Sequence, residues 1–352
     1  MDILPYLKLM VEKTASDLFF TVGAPVKIKI EGKAQSVGKT MLTGDVCKAA
    51  AYGVMSKHQI AKFEETMECD FAIPLPDGGA RFRVNVFRQR GDVAMVMRRI
   101  PQQIPTCDQL GLPEILKDLI MHKRGLILMV GATGSGKSTT LAAMLNHRNE
   151  NMAGHILTIE DPVEFSHPNK KSIFNQREVG VDTKSYRNAL RASLREAPDV
   201  ILIGEIRDRE TMEAALELSN TGHLAVSTLH ANNSNQAMER VINLFPQDMH
   251  KQLFMDLSLN IRAVISQRLV LGVDGKRCAA IEILVNTPHI SELILKGDID
   301  ELKVAMAESG QKGMQTFDLA LFNLYKEGRI ELEEALNNAD SKTNLEAKIN
   351  FG

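Results

Sequence analysis

The sequence predicts an α/β fold, with a small mixed α/β region first, a parallel sheet next and helices at the end. From about residue 114, short apolar runs without alternation are separated by helical stretches: LILMV, HILTI, VILIG and LAVSTL. Such runs are typical of strands covered on both faces, as in a parallel sheet. Before residue 100, side chains instead alternate with a period of two, which predicts strands with one exposed face.

Each region is predicted from its own pattern. Residues 1–13 and 44–65 have apolar side chains at helical spacing, whereas VKIKIEG (26–32) and ARFRVNVFRQRGDVAMVMRRI (80–100) alternate like strands. The segment 101–113 contains three prolines and little periodicity, so it is predicted to be a linker. We therefore expect an α+β domain over 1–100, the linker over 101–113, a parallel-sheet domain over 114–285 and a helical region over 286–352.

Composition limits the functional classes. The net charge of −2 argues against broad electrostatic binding to nucleic acid. The four cysteines are scattered without a CxxC pair, which predicts neither disulfides nor a zinc site and is typical of a reducing cytoplasm. No apolar run approaches the roughly 18–20 residues that span a bilayer, and the first residues lack a signal-peptide pattern. We therefore expect a soluble intracellular protein.

The segment GATGSGKS (131–138) matches the phosphate-loop pattern GxxxxGK[ST] in full. It follows a predicted strand and precedes a predicted helix, which is the context that the motif requires. Its glycines let backbone N–H groups point into one concavity, and the helix N-terminus adds partial positive charge. The predicted nucleotide-binding residues are Gly131, Ala132, Thr133, Gly134, Ser135, Gly136, Lys137, Ser138 and Thr139. Lys137 is expected to reach the β- and γ-phosphates of ATP, and Ser138 to hold Mg²⁺.

The run VILIGEIR (200–207) has a glycine where nucleotide-hydrolysing proteins usually place an aspartate. We expect its strand to lie beside the phosphate-loop strand, so that its carboxyl end reaches the nucleotide. Glu205 is then the first carboxylate available, and we expect it to act on Mg²⁺ through a water, because Mg²⁺ keeps several waters. Gly204 would let the backbone approach the site closely.

With this glycine–glutamate motif, the sequence resembles the secretion ATPases of type II secretion and type IV pili. HILTIEDPVEF (155–165) is similar to the family's acidic box, SLREAPDVILIGEIRD (193–208) to its Walker B region and TGHLAVSTLHANN (221–233) to its histidine box. NQREVGVDT, DLSLNIRAVISQRL, GMQTFDLALFNLY and the tail ALNNADSKTNLE most resemble the pilus retraction motors of the PilT/PilU type, and PilU in particular. The resemblance covers nearly the whole chain. It implies a RecA-like P-loop NTPase domain, preceded by a PAS-like α+β domain and followed by helices, in a hexamer.

The resemblance also implies roles for single residues. It places the catalytic glutamate at the last position of EDPVE, so Glu164 is expected to orient the attacking water. For Glu160 and Asp161, shaping the site and indirect contact with Mg²⁺ stay open. His230 is a candidate for sensing the γ-phosphate, and His223 is a candidate nearer a subunit or domain contact. A structural role is the alternative for both histidines.

Arginines form two further groups. ARFRVNVF puts Arg81 and Arg83 on one face of a strand, where they are either a solvated face or a pair of arginine fingers. The resemblance favours arginine fingers, because in a hexameric ring the small domain of one subunit packs on the nucleotide domain of the next. Arg191 and Arg195 are spaced i, i+4 on a predicted helix, and phosphate binding and pairing with Glu196 stay open for them.

The motifs predict an ATP hydrolase that uses ATP and Mg²⁺, and the resemblance implies that it forms a hexamer and powers type IV pilus retraction and twitching motility. The resemblance also implies the partners, an inner-membrane platform protein and a PilT-type ATPase, and a location at the cytoplasmic face of the inner membrane. HISELILKG (289–297) stands where PilT-type motors carry a motif close to AIRNLIRE, and its arginines are absent. We therefore expect an accessory motor.

Three alternatives are weighed against this function. A type II secretion or pilus assembly ATPase usually carries a paired-cysteine insert after the histidine box, and no cysteine lies between His230 and Cys278. A RecA-like motor that translocates nucleic acid is disfavoured by the net charge, four tyrosines and no tryptophan. A nucleotide-gated binding module without turnover is disfavoured by Glu164, Glu205 and the arginine pair.

Overall fold

The computed structural model describes residues 1–30, 32–76, 80–100 and 103–351. The chain forms two compact units. The first consists of Met1–Gln103 and Glu164–Ser166, and the second of Ile104–Val163 and His167–Gly352. Both combine helices with a sheet, so the predicted α/β fold class is confirmed.

The first unit is built on an antiparallel sheet, whose strands have the order β3-β2-β1-β6-β5-β4. The strands are β1 (Asp17–Phe20), β2 (Lys27–Ile30), β3 (Lys33–Ser36), β4 (Glu68–Pro74), β5 (Arg81–Gln89) and β6 (Asp92–Ile100). The helices are α1 (Leu4–Glu12), α2 (Gly44–Tyr52) and α3 (Lys57–Thr66). Phe82, Val84 and Val86 of β5 are fully buried, as the period of two predicts.

The second unit is built on a largely parallel sheet, whose strands have the order β13-β12-β7-β11-β10-β8-β9. The strands are β7 (Gly125–Val130), β8 (Gly154–Glu160), β9 (Ser172–Glu178), β10 (Val200–Ile203), β11 (Leu224–Leu229), β12 (Ile261–Leu271) and β13 (Arg277–Val285). Only the β12–β13 pair is antiparallel within the described sheet. Along β7, Leu126 and Leu128 pack in one core cluster and Ile127 and Met129 in another, so both faces are covered. This explains the apolar runs without alternation.

Helices cover the second sheet and form the end of the chain. They are α4 (Ile115–Ile120), α5 (Lys137–Asn151), α6 (Tyr186–Ser193), α7 (Arg209–Asn220), α8 (Ser234–Asn243), α9 (His250–Asn260), α10 (Pro288–Lys296), α11 (Leu302–Glu308), α12 (Phe317–Lys326), α13 (Leu332–Asn338) and α14 (Lys342–Phe351). Short 3₁₀ helices lie at Gln247–Met249 and Ile299–Glu301. Within the described ranges, every helix is too short or too polar to cross a lipid bilayer.

The predicted neighbour of the phosphate-loop strand was wrong. The VILI strand β10 pairs with β8 and β11, and β11 separates it from β7. Val226 of β11 is paired with Leu202 on one side and Ile127 on the other. Apolar runs predict buried parallel strands but do not encode which strand lies next to which. Because all these strands are parallel, their carboxyl ends still meet at one edge of the sheet.

The predicted linker 101–113 lies partly outside the described residues, which do not include Pro101 and Gln102. Residues 104–113 group with the second unit. There, Cys107 and Leu112 are buried in the same apolar cluster as Leu116 of α4. Burial raises the pKa of the Cys107 thiol to about 11.

Candidate nucleotide-binding site

The phosphate loop connects β7 to α5, as the motif requires. Gly131, Gly134 and Gly136 all have positive φ angles, of 152°, 78° and 87°. A Cβ on Gly131 would lie 2.5 Å from Ser135 Oγ and 2.6 Å from the main-chain oxygen of Gln267. A Cβ on Gly136 would lie 2.7 Å from Gln267 Nε2, whereas one on Gly134 would meet nothing within 4 Å. Two of these glycines are therefore needed for space as well as for backbone conformation.

Lys137 begins α5 and reaches back over the loop. Its Nζ donates to the carbonyl oxygens of Gly131 at 2.7 Å and Ala132 at 2.9 Å. Ala132, Thr133 and Gly134 are exposed at the tip of the loop, and Lys137, Ser138 and Thr139 are half-buried at the start of the helix. The loop therefore presents its tip and its first helical residues to solvent.

Gln267 supports the loop and was missed by the sequence analysis. It lies on β12 with only 2% of its surface exposed. Its Nε2 donates to the Ser135 carbonyl oxygen at 2.8 Å, and its Oε1 accepts from Thr140 Oγ1 at 2.7 Å. The one available signal was a polar amide inside the apolar strand AVISQRLVL, because a buried polar group needs partners.

The carboxyl ends of β10 and β11 bring Glu205 and His230 together. Glu205 Oε1 lies 3.2 Å from His230 Nε2, and Glu205 Oε2 accepts from Arg207 Nε at 2.7 Å. The Glu205 side chain is 17% exposed, whereas that of Arg207 is 64% exposed. The carboxylate of Glu205 therefore contacts both Arg207, whose side chain is exposed to solvent, and His230, which follows the neighbouring strand β11. We refer to Gly204, Glu205, Arg207 and His230, together with Tyr186, as the carboxylate edge.

Gly204 is explained by the space around it. A Cβ at this position would lie 2.6 Å from Tyr186 Oη, 3.1 Å from the Ile159 carbonyl oxygen and 3.3 Å from Glu160 Cα. Tyr186, the first residue of α6, therefore packs against the backbone where an aspartate side chain would otherwise start. Burial, and then the nearby charge of Asp161, raise the pKa of Tyr186, which keeps its hydroxyl protonated.

The three carboxylates of the acidic segment 160–164 lie in different surroundings. Glu160 Oε1, at the end of β8, accepts from Thr158 Oγ1 at 2.6 Å and Gln176 Nε2 at 3.1 Å. Asp161 is exposed and lines a cavity of about 520 Å³ together with Tyr186 and Glu205. Glu164 is exposed, and Glu164–Ser166 group with the first unit. Its role in orienting water stays a prediction.

His223 lies apart from the carboxylate edge, at the amino end of β11. Its Nδ1 is 3.1 Å from Oγ1 of Thr221, which follows α7, and 3.2 Å from the carbonyl oxygen of Leu218, which lies in the last turn of α7. These contacts support the local turn, and a catalytic role for His223 stays a prediction.

Arg81 and Arg83 lie on the half-exposed face of β5. Their guanidinium groups make no hydrogen bond or ion pair with another residue in the described ranges. Arg98, directly opposite Arg83 on β6, donates to Asp17 Oδ1 at 2.9 Å. The pair can therefore contact another molecule without breaking an ion pair among the described residues, and the arginine-finger role stays a prediction.

The predicted helical spacing of Arg191 and Arg195 was wrong. Helix α6 ends at Ser193, so Arg191 is helical and Arg195 lies beyond the helix. Ala197 has a φ angle of 48° and precedes Pro198, whose ring disfavours the helical conformation in the residue before it. Glu196, which was one of the alternatives considered for these arginines, is bound by Arg177 at 2.7 Å.

The family model of type II/IV secretion system proteins matches residues 2–339 of this chain. The chain belongs to this family. It is 52% identical to the type IV pilus ATPase PilU of Pseudomonas aeruginosa, over 100% of this chain and 92% of that protein. It is 42% identical to the PilT retraction ATPase of the same organism, over 98% of this chain and 100% of that protein. A crystal structure of the pilus retraction motor PilT with bound ADP superposes with a TM-score of 0.92, at 42% identity over 98% of this chain and 99% of that one.

These relatives confirm the resemblance that the motifs predicted. This secretion-family protein is an ATPase of the pilus retraction group and binds a nucleotide. The full-length matches do not favour the pilus assembly ATPase or the nucleic-acid motor.

Proposed function

We propose that this protein hydrolyses ATP to power type IV pilus retraction, as an accessory motor that acts with a PilT-type ATPase on one inner-membrane platform protein. One observation carries the proposal: a complete phosphate loop follows β7, and Glu205 and His230 lie 3.2 Å apart at the carboxyl ends of neighbouring strands. Parallel sheets bind ligands at this edge. The relatives PilU and PilT, named as pilus ATPases, support the same function.

The loop provides phosphate binding. Its N–H groups and the N-terminus of α5 attract the phosphates, and Lys137 exchanges its two loop carbonyls for phosphate oxygens. Ser138 and Glu205 offer the hard oxygen atoms that Mg²⁺ prefers, so this donor set fits the metal. When bound, Mg²⁺ neutralises charge that develops on the transferred phosphoryl group.

The remaining residues would act on the water and the transition state. Glu164 orients the attacking water, and His230 fixes the carboxylate of Glu205 and responds to the γ-phosphate. In a hexamer, Arg81 and Arg83 of one subunit reach the nucleotide of the next, since neither guanidinium is paired with another of the described residues. In this proposal residues 1–100 form the arginine-bearing domain and residues 101–113 connect it to the ATPase domain over 114–285. Residues 286–352 form the C-terminal helical region, and the protein acts at the pilus base.

Steady-state ATP hydrolysis at increasing protein concentration tests the site. We expect specific activity to rise steeply with concentration, because ring assembly completes the site with arginines from a neighbour. Glu164→Gln should lower kcat by about 100-fold or more, because an amide cannot accept the proton of water. Glu333→Gln, an exposed glutamate of α13, is the matched control.

Two results would count against these roles. Specific activity independent of concentration would contradict the trans-acting arginines. A fully active Glu164→Gln variant would move the water-orienting role to Glu160 or Glu205. For the accessory role, deletion of the gene should weaken retraction force, and overproduced PilT should still retract; unchanged force, or complete loss of retraction, would contradict it.

A further inference from the structure

Gln267 is a buried amide that uses both of its polar atoms on the nucleotide loop. Its Nε2 donates to the Ser135 carbonyl inside the loop, and its Oε1 accepts from Thr140, one turn into α5. Ser135, Thr140 and Gln267 are all nearly inaccessible to solvent. One side chain from a neighbouring strand therefore connects the loop to the helix that follows it.

The first contact sets the direction of a peptide group. A phosphate loop works only if its N–H groups point into the concavity, so its carbonyl groups must point outward. An outward carbonyl that is buried needs a donor, because an unpaired buried polar group is unfavourable. Gln267 Nε2 is that donor for Ser135.

Gln267 also packs closely against two glycines of the loop. A Cβ on Gly136 would lie 2.7 Å from Gln267 Nε2, and a Cβ on Gly131 would lie 2.6 Å from the Gln267 main-chain oxygen. Both ends of the loop therefore lie directly against Gln267. Movement of this side chain would change the shape of the loop at Ser135 and at Gly136.

We propose that Gln267 is a positioning residue for ATP binding, and that its amide holds the phosphate loop in the conformation that receives the β-phosphate. It acts through Ser135 and Thr140. The inference rests on the proposed function, because it concerns nucleotide binding by this loop.

Calorimetric titration of the full-length protein with ADP and with AMP tests this role. Gln267→Met keeps the length of the side chain but removes both hydrogen bonds, and we expect about tenfold weaker ADP binding. AMP lacks the β-phosphate, so its affinity should stay close to that of wild type. Gln315→Met is the matched control. The Gln315 amide also donates to a backbone carbonyl oxygen, at 2.7 Å, but that oxygen belongs to Ile281 and lies outside the loop.

A second pair of variants keeps the test decisive if Gln267→Met does not fold. Thr140→Val removes the donor to Gln267 Oε1 and should weaken ADP binding, whereas Thr140→Ser keeps the hydroxyl and should restore it. The positioning role would be overturned if Gln267→Met or Thr140→Val lost equal affinity for ADP and for AMP. It would also be overturned if these variants bound ADP as tightly as Gln315→Met does. Failure of the wild type to bind ADP would instead contradict the proposed function itself.

Discussion

The phosphate loop and the carboxylate edge lie in the same unit but are built in different ways. Residues 131–139 are consecutive, and their shape depends on glycines with positive φ and on one supporting amide. The carboxylate edge combines the end of β10, the end of β11 and the start of α6, and its contacts are between side chains. Substitutions should therefore act through the backbone in the loop and through neighbouring side chains at the edge.

The two regions also differ in how they hold charge. In the loop, Lys137 is bound by backbone carbonyls that belong to its own motif. At the edge, Glu205 is shared by Arg207 and His230, which come from different segments. Phosphate oxygens of a nucleotide can replace these two carbonyl contacts of Lys137, whereas a substitution of Glu205 removes its contacts with both Arg207 and His230.

The largest effect should follow from filling space in the loop. Gly131→Ala places a Cβ 2.6 Å from a backbone oxygen of Gln267, so we expect kcat/KM for ATP to fall by about 100-fold or more. Gly134→Ala is the matched control, since it has a positive φ but open space, and should lose only about tenfold. Steady-state kinetics and thermal melting of both variants measure the difference. Equal losses would show that conformation, and not space, dominates.

An intermediate effect is expected where the edge excludes a side chain. Gly204→Ala should reduce the free energy of unfolding by about 1–3 kcal/mol, because its Cβ meets Tyr186 Oη. In a Tyr186→Phe background the same substitution should be milder, since the hydroxyl is absent. Denaturant unfolding of the four proteins gives the coupling between the two positions. Additive free energies would exclude Tyr186 as the cause of the glycine.

A smaller, pH-dependent effect should appear beside the edge. The His167 ring stacks on Phe174 at 4.1 Å, and its backbone N–H binds Gln176, which also binds Glu160. Burial, followed by the charge of Lys170, lowers the pKa of His167 from 6.5 to about 3. Between these values the unfolded chain binds a proton that the folded chain does not, so stability falls as pH falls, by about 1.4 kcal/mol per pH unit.

Unfolding at pH 7.5 and pH 5.5 measures this effect. Relative to His167→Phe, which keeps the stacking, the wild type should lose about 1 kcal/mol more between these two pH values. A parallel loss in both proteins would assign the acid sensitivity to other groups.

The contrast also explains where prediction from sequence succeeded. The phosphate loop, the strand before it and the helix after it were predicted correctly, because the glycines, the lysine and the apolar runs that identify them are adjacent in the chain. The extension of α6 to Arg195 was wrong, because i, i+4 spacing does not show where a helix ends, and Pro198 disfavours helical conformation in the residue before it. The roles of Glu164, Arg81 and Arg83 stay predictions, because they concern a bound nucleotide and neighbouring subunits.

The sequence by itself determined the α/β class, the phosphate loop and the glycine–glutamate motif, since periodicity and backbone conformation are local properties of the chain. Only the tertiary structure decided that β11 separates β10 from β7, that Tyr186 fills the space at Gly204, and that Gln267 supports the loop. The physical reason is that these contacts depend on which strands pair. Pairing is set by the packing of whole faces, and no short segment encodes it.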